Sequence, residues 1–371
     1  MIFRYFKTSR LIWSNDMGND HTGFSKEIRI GEHRVGPGRP TFIIAEAGVN
    51  HGGDIRKAFE LIDIAADAGA NAVKFQAFRT EHVILKSVEK APYQKQTTDK
   101  SESQFEMIRK LELKKEQYVE LKAYCARKKI FFLITPFDEP SLRELEEVGV
   151  EAYKISSTDT TNLPFLKKVA QTRKPLLLST GMCYLNEVEA ALQEIKPWNR
   201  DVILLQCTAN YPILDEEAHL NVITTFKERF DVLVGYSDHS VGIGASLYAV
   251  PMGAVVLEKH FTIDKNLPGP DHRASLSPSE LKDFVKQVRH IEVYLGSPEK
   301  KPVPSEVHTR NSLQKCLVAA RPIKKGQIIA DADLVAKRTG GKGISPLKYR
   351  DVTGTVAIRD FAVNDIIELS K

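Results

Sequence analysis

Residues 232–271 read VLVGYSDHSVGIGASLYAVPMGAVVLEKHFTIDKNLPGPD, and the spacing inside this stretch decides the fold. Two short β-rich runs, Val232 to Tyr236 and Ala254 to Leu257, lead into the histidine motifs Ser237-Asp238-His239 and Glu258-Lys259-His260. A segment of helical length, rich in Ala and Gly, separates them, so the whole reads as one strand-helix-strand unit. If the strands are parallel neighbours, His239 and His260 emerge side by side at one end of the sheet, about 5 Å apart at the backbone. Two imidazoles there, with carboxylates nearby, suit a divalent metal.

Outward from this unit the alternation continues. Strand candidates are Phe42–Glu46, Ala72–Gln76, Ile130–Thr135, Ala152–Ser156, Leu176–Ser179, Val202–Gln206, Leu233–Tyr236 and Val255–Glu258, with helical patterns near 54–69, 114–128, 138–148, 162–173, 185–196, 216–229, 241–251 and 278–295. Eight strand-helix repeats over about 250 residues match a closed (β/α)8 TIM barrel, an α/β fold. An open doubly wound sheet usually has fewer strands and a G-x-G-x-x-G order after the first, which Gly48 to Gly53 lacks. The expected division is an N-terminal extension over 1–26, a barrel over 27–296, a linker over 297–311 that holds three prolines, and a small, mostly β domain over 312–371. The long connection from Ala77 to Leu113 reads as a functional loop over the barrel mouth.

Composition excludes several classes. With 42% hydrophobic and 27% charged residues in a chain of 371, disorder is excluded, and no apolar run reaches the length of a membrane span. Met1 to Phe24 lacks the apolar core and cleavage site of a secretory signal. Four scattered cysteines without a Cys-x-x-Cys pair point to free thiols in a reducing cytoplasm. The net charge of +5 sits in the tail, where Ser312 to Lys371 holds 11 Lys/Arg against 6 Asp/Glu; such a segment suits an anionic substrate, nucleic acid or plain solvation.

Catalytic barrels carry their sites at the C-terminal strand ends. Those ends read Glu46 with Asn50-His51; Lys74 and Gln76; Thr135; Lys154, Ser156 and Ser157; Ser179 and Thr180; Gln206, Thr208, Asn210 and Tyr211; Ser237 to His239; and Glu258 with His260. Singly, a lysine can snorkel to solvent and a serine can cap a helix. Together, the charged groups among them would point into one bowl, although charged groups are rarely fully buried without partners. Two lysines among hydroxyls suit a phosphate, and the histidine pair suits Mn²⁺ or Mg²⁺ with open positions for substrate.

These motifs give the chain its resemblance. Ile44 to His51, Val73-Lys74-Phe75-Gln76, Thr135-Pro136-Phe137, Tyr153 to Ser157, Leu178 to Met182, Tyr211-Pro212, Ser237-Asp238-His239, Glu258 to Thr262 and Pro268 to Asp271 together resemble the sialic acid (N-acetylneuraminate) synthases and their spore coat polysaccharide, legionaminic and pseudaminic acid relatives. Ile323-Lys324-Lys325-Gly326 and Lys337-Arg338 resemble that family's antifreeze-like (SAF) domain. The resemblance implies a cytoplasmic transferase that condenses phosphoenolpyruvate with an N-acylhexosamine aldehyde to give a nonulosonic acid and phosphate, for cell-surface or spore-coat polysaccharide. Carried over by motif, Lys74, Thr135, Lys154, Ser157, Ser179 and Ser237 would hold phosphoenolpyruvate, and His239 and His260 the metal. Glu46 would handle the attacking water, while Gln76, Tyr211 and Asp271 would face the substrates. Arg338 would reach the sugar's acyl group from the other subunit of a domain-swapped homodimer. Neither nucleic acid nor membrane is implied as a partner. Ala209 after Thr208, Ser156 in place of a glycine and Lys259 in place of an arginine depart from patterns common in the family. Two other readings stand beside this one: a Schiff-base pyruvate aldolase using Lys154, and a binding protein built around the tail domain.

Overall fold

The computed structural model describes residues 23–90 and 102–370. An antiparallel hairpin comes first, β1 (Ile28–Ile30) and β2 (His33–Val35), turning at Gly31 with φ of 57°. Eight parallel strands follow: β3 (Phe42–Gly48), β4 (Ala72–Ala77), β5 (Phe131–Pro136), β6 (Tyr153–Ile155), β7 (Leu176–Ser179), β8 (Val202–Cys207), β9 (Leu233–Asp238) and β10 (Val256–His260). They close in the order β10-β3-β4-β5-β6-β7-β8-β9, so the chain folds as a TIM-type barrel. All eight expected strands form, with ends displaced by up to two residues.

Alternation along the strands divides the core. Ile43, Ala45, Val73 and Phe75 face outward into the layer under the helices, packed with Leu61 and Leu121. Phe42, Ile44, Leu133, Leu177 and Val256 belong to a second cluster with Ile28, Ile30 and Val35 of the hairpin. The hairpin thus packs on the N-terminal halves of the strands, and its apolar alternation about Gly31 is a signal that strand-helix counting passed over. Filling that end with apolar side chains leaves the C-terminal end for polar ones. The extension expected over 1–26 lies outside the described residues as far as residue 22, as do residues 91–101 of the long connection, which is otherwise helical at Thr80–Val83 and Gln104–Arg109.

The chain divides into two compact units, one ending at Gly296 and one beginning at Ser297. Part of the stretch expected as linker is a helix, Pro304–Leu313, because Pro304 stands at its first turn and Glu306 accepts the Val303 amide at 3.0 Å. The second unit pairs β11 (Lys315–Ala319) with β12 (Leu334–Arg338) and adds single bridges such as Ile328 to Val356. Leu317, Ile323, Phe361 and Ile367 are its core.

Candidate active site

Glu46, Lys74, Gln76, Thr135, Lys154, Ser157, Ser179, Tyr211, Ser237, His239, His260 and Asp271 all line one cavity of about 650 Å³. Arg338 does not belong to this group; it is exposed at the end of β12 in the second unit. His51, also at a strand end, is buried and accepts the Gly53 amide at Nδ1, a backbone role.

The local backbone explains the convergence. Side chains of β10 alternate, so Glu258 and His260 face inward while Lys259 faces out. Parallel register sets Glu258 beside Ser237 and His260 beside Glu46. β3 shifts register between Glu46 and Gly48, where Gly48 takes φ of 53° and a β-carbon would touch Gln76 Nε2 and Glu46 Oε1 at 3.4 Å. At β7, Gly181 lets its amide donate to Ser157 Oγ at 2.9 Å; a β-carbon there would also meet that oxygen at 2.9 Å.

Four buried charges interlock on the cavity floor. Lys74 Nζ lies 3.0 Å from Glu258 Oε2 and 3.4 Å from Glu46 Oε1, and Lys154 Nζ lies 3.4 Å from Glu258 Oε1. Ser237 Oγ donates to Glu258 at 2.9 Å. Burial opposes the charge on Glu258, but Lys154 and Lys74 outweigh it and hold the carboxyl well below its ordinary range. Burial dominates for Glu46, and despite Lys74 its carboxyl is pushed up to about 7. Burial likewise lowers Lys154, while Lys74 stays raised because Glu258 and Glu46 overcome burial. Asp271 is pushed up to about 6 by burial.

On the other side of the floor the His239 and His260 rings lie 5.6 Å apart between centroids, with Tyr211 at 4.1 Å from His239 and 5.5 Å from His260. His239 Nδ1 is 2.7 Å from Thr208 O, which places the proton on Nδ1 and leaves Nε2 with a lone pair. Cys207 Sγ, 3.8 Å away, helps raise His239 against the effect of burial, whereas burial and the neighbouring His239 keep His260 neutral. With the ring protons held off the cavity-facing nitrogens, as metal binding requires, the two imidazoles would fit a divalent ion as ligands. No group of three His, Cys, Asp or Glu side chains converges at metal-binding range among the described residues, so the remaining positions would fall to substrate or water.

Behind the histidines a second ion pair locks their strands. Lys259 Nζ and Asp238 Oδ2, adjacent in register and almost wholly buried, lie 3.1 Å apart. Asp238 also accepts from the amides and hydroxyls of Ser240 and Ser246. The cavity floor thus includes Glu258 with the residues expected from motif, and Asp238 and Lys259 brace its strands from behind. Their signal in the sequence was position: each is one or two residues from a histidine on the same strand or turn.

Several polar atoms of this bowl are buried without any hydrogen-bond partner among the described residues: Thr135 Oγ1, Ser179 Oγ, Glu46 Oε2 and His260 Nδ1. Unmet donors and acceptors of this kind are expensive in a folded chain unless a ligand meets them. Beside two ammonium groups the two hydroxyls form a receptor for an oxyanion, next to a pair of metal-competent imidazoles and a carboxyl that exchanges its proton near neutrality.

Comparison with known proteins agrees. Residues 61–300 match the NeuB family and residues 314–371 the SAF domain. The N,N'-diacetyllegionaminic acid synthase of Campylobacter jejuni is 45% identical over 89% of this chain and 99% of its own. The N-acetylneuraminate-9-phosphate synthase of Homo sapiens is 37% identical over 90% and 93%. Among solved structures, the N-acetylneuraminic acid (sialic acid) synthetase of Leptospira borgpetersenii, in complex with citrate, superposes with a TM-score of 0.68 at 38% identity, covering 79% of this chain and 99% of that one. This chain belongs to the NeuB family.

Proposed function

We propose that this NeuB-family chain condenses phosphoenolpyruvate with the open-chain aldehyde of an N-acylhexosamine, releasing phosphate and a nonulosonic acid. The observation that carries the reading is the convergence of the Thr135 and Ser179 hydroxyls, buried without partners among the described residues, on the cavity of Lys74 and Lys154. Lys74 and Lys154 hold the phosphate and carboxylate of phosphoenolpyruvate as point charges, and Thr135, Ser157, Ser179 and Ser237 supply hydroxyl donors. His239 and His260 would hold a divalent ion, Mn²⁺ or Mg²⁺, which when bound supplies Lewis-acid polarisation of the aldehyde oxygen. Tyr211, Gln76 and Asp271 position the sugar at attack distance.

The methylene carbon of phosphoenolpyruvate then bonds to the aldehyde carbon, whose C=O π pair moves onto the aldehyde oxygen, which takes up a proton and becomes a hydroxyl. The double-bond electrons of phosphoenolpyruvate are consumed, leaving the carbon that bears phosphate electron-poor. Glu46, poised near neutrality, takes a proton from the water that adds there. The added oxygen loses its second proton and becomes the keto oxygen as the bond between that carbon and the bridging oxygen breaks, and phosphate departs with the bridging oxygen against the two lysines. Arg338, exposed on β12, would complete the acyl subsite from the second subunit of a domain-swapped homodimer. A cytoplasmic setting suits the four free thiols. The named relatives differ in whether their product carries phosphate, which leaves the acceptor's charge open.

The test is phosphate release from phosphoenolpyruvate by purified protein, with and without Mn²⁺, across N-acylhexosamines. Release that needs both metal and aldehyde supports the reading; no release with any sugar and metal refutes it. The burial that lowers Lys154 favours an amine nucleophile as a second reading. Inactivation by borohydride in the presence of pyruvate would support that reading instead.

A further inference from the structure

Asn50 and His51 follow the end of β3, yet the reaction above uses neither. His51 accepts the Gly53 amide at 2.9 Å and so fixes the turn that presents Asn50, whose side chain is buried. Both protons of the Asn50 carboxamide go to one neighbouring segment: Nδ2 donates to Phe261 O at 2.8 Å and to Ser275 Oγ at 3.0 Å. Phe261 opens the connection that follows β10, and Ser275 lies near its close. Ser275 Oγ, with one lone pair taken by that amide, gives its only proton to Asp271 O at 2.7 Å. A directed chain therefore runs from the turn after β3, through Asn50 and Ser275, to the backbone of Asp271, whose side chain lines the cavity.

We propose that Asn50 and Ser275 are positioning residues for the acceptor: they hold Asp271 in place over the cavity, and altering either weakens the sugar without weakening phosphoenolpyruvate. This rests on the synthase reading above, in which Asp271 faces the sugar. Phe261 O can only accept, so the amide nitrogen of Asn50 must face it, and a flipped amide would bring two acceptors together. The connection is closed at its base by Thr262 N–H to Leu276 O at 2.9 Å and Leu276 N–H to His260 O at 2.8 Å, and Phe261 N–H ties its first residue to Glu46 O at 3.0 Å. Asn50 extends that attachment to the far side of the connection, where Asp271 sits. Removing the Ser275 hydroxyl leaves the base closed and Phe261 anchored, and releases the Asp271 end alone. The groups that hold phosphoenolpyruvate, such as Lys74, Thr135, Lys154 and Ser179, belong to β4, β5, β6 and β7 and keep their places. A binding group displaced by about 1 Å is enough to cost up to about 100-fold in rate.

The experiment measures phosphate release with Mn²⁺ by the native protein, Ser275→Ala, Asp271→Asn and the double variant. Phosphoenolpyruvate is varied in one series, and in the other the N-acylhexosamine on which the native protein acts fastest. Ser275→Ala should raise the acceptor's KM by about 10-fold and leave that of phosphoenolpyruvate within about 2-fold. In the Asp271→Asn background the same change should alter acceptor kcat/KM by less than about 2-fold, because the group it positions is already gone. Asn50→Ala should show the same split between the two KM values. It also removes two buried hydrogen bonds, so the rise in Tm given by phosphoenolpyruvate is read beside it and should match the native rise. Equal increases in both KM values for Ser275→Ala, or an effect undiminished in the Asp271→Asn background, overturn the inference while the synthase reading stands. Absence of release by the native protein with every acceptor overturns the synthase reading and this inference with it.

Discussion

Replacing Glu258 with Gln removes one negative charge from the centre of the floor and little else. The wild-type carboxylate touches Lys74 at 3.0 Å and Lys154 at 3.4 Å, with all three side chains at most 5% exposed. Lys74 keeps Glu46 at 3.4 Å in the variant. Lys154 keeps no carboxylate within ion-pair distance among the described residues. Breaking a buried pair by removing one partner costs about 3–5 kcal/mol, and the lower end applies here because Lys154, already lowered by burial, can shed its proton. For a domain of this size about 3 kcal/mol corresponds to a fall of roughly 5–6 °C in Tm. The loss should be partly restored by ligand, since phosphoenolpyruvate or inorganic phosphate brings the charge that Glu258 supplied. Thermal melts of both proteins, with and without saturating phosphate, measure this. The expected result is a large deficit that shrinks by about half with ligand. A deficit under about 2 °C, or phosphate stabilising the wild type more than the variant, would refute the charge network as drawn.

Other outcomes follow from the same geometry. Glu46 has a folded-state pKa of about 7 against an ordinary 4.5, so its contribution to stability is fully present below about 4.5 and is lost as pH rises through 7. Glu46→Gln should therefore gain about 2 kcal/mol on wild type between pH 5 and pH 8, read by urea melts. The same variant should abolish the rise of wild-type kcat/KM through pH 7. His239→Ala should lower turnover by about 1,000-fold with an unchanged far-ultraviolet circular dichroism spectrum, matching several kcal/mol of Lewis-acid stabilisation; near-normal turnover contradicts the metal assignment. Lys259→Met loosens the strand lock without touching the cavity, so the Mn²⁺ concentration for half activation should rise about 10-fold.

How far the sequence alone carried varies from residue to residue, and the reason is physical. Short β-branched apolar runs alternating with helical patterns located all eight barrel strands, because a parallel sheet buried on both faces needs continuous apolar runs. The strand ends then placed Lys74, Lys154, Glu46 and the two histidines together, because a TIM barrel presents that end of every strand to one bowl. What escaped was pairing between elements. Glu258 is invisible as a partner of two lysines until β4, β6 and β10 are closed into a ring, and Asp238 meets Lys259 only through strand register. The helix at Pro304–Leu313 hid behind prolines that read as linker, although a proline in the first turn is compatible with a helix. Arg338 could be reached only by resemblance, since its place on an exposed strand gives no local sign of chemistry.

The central claim is that water adds to the pyruvyl carbon and that phosphate leaves with the bridging oxygen, and the fate of heavy oxygen from labelled water tests it most directly. With phosphoenolpyruvate, Mn²⁺ and an accepted sugar, the released phosphate should carry no label by mass spectrometry. Label in the phosphate would mean that water attacks phosphorus, and would contradict the account.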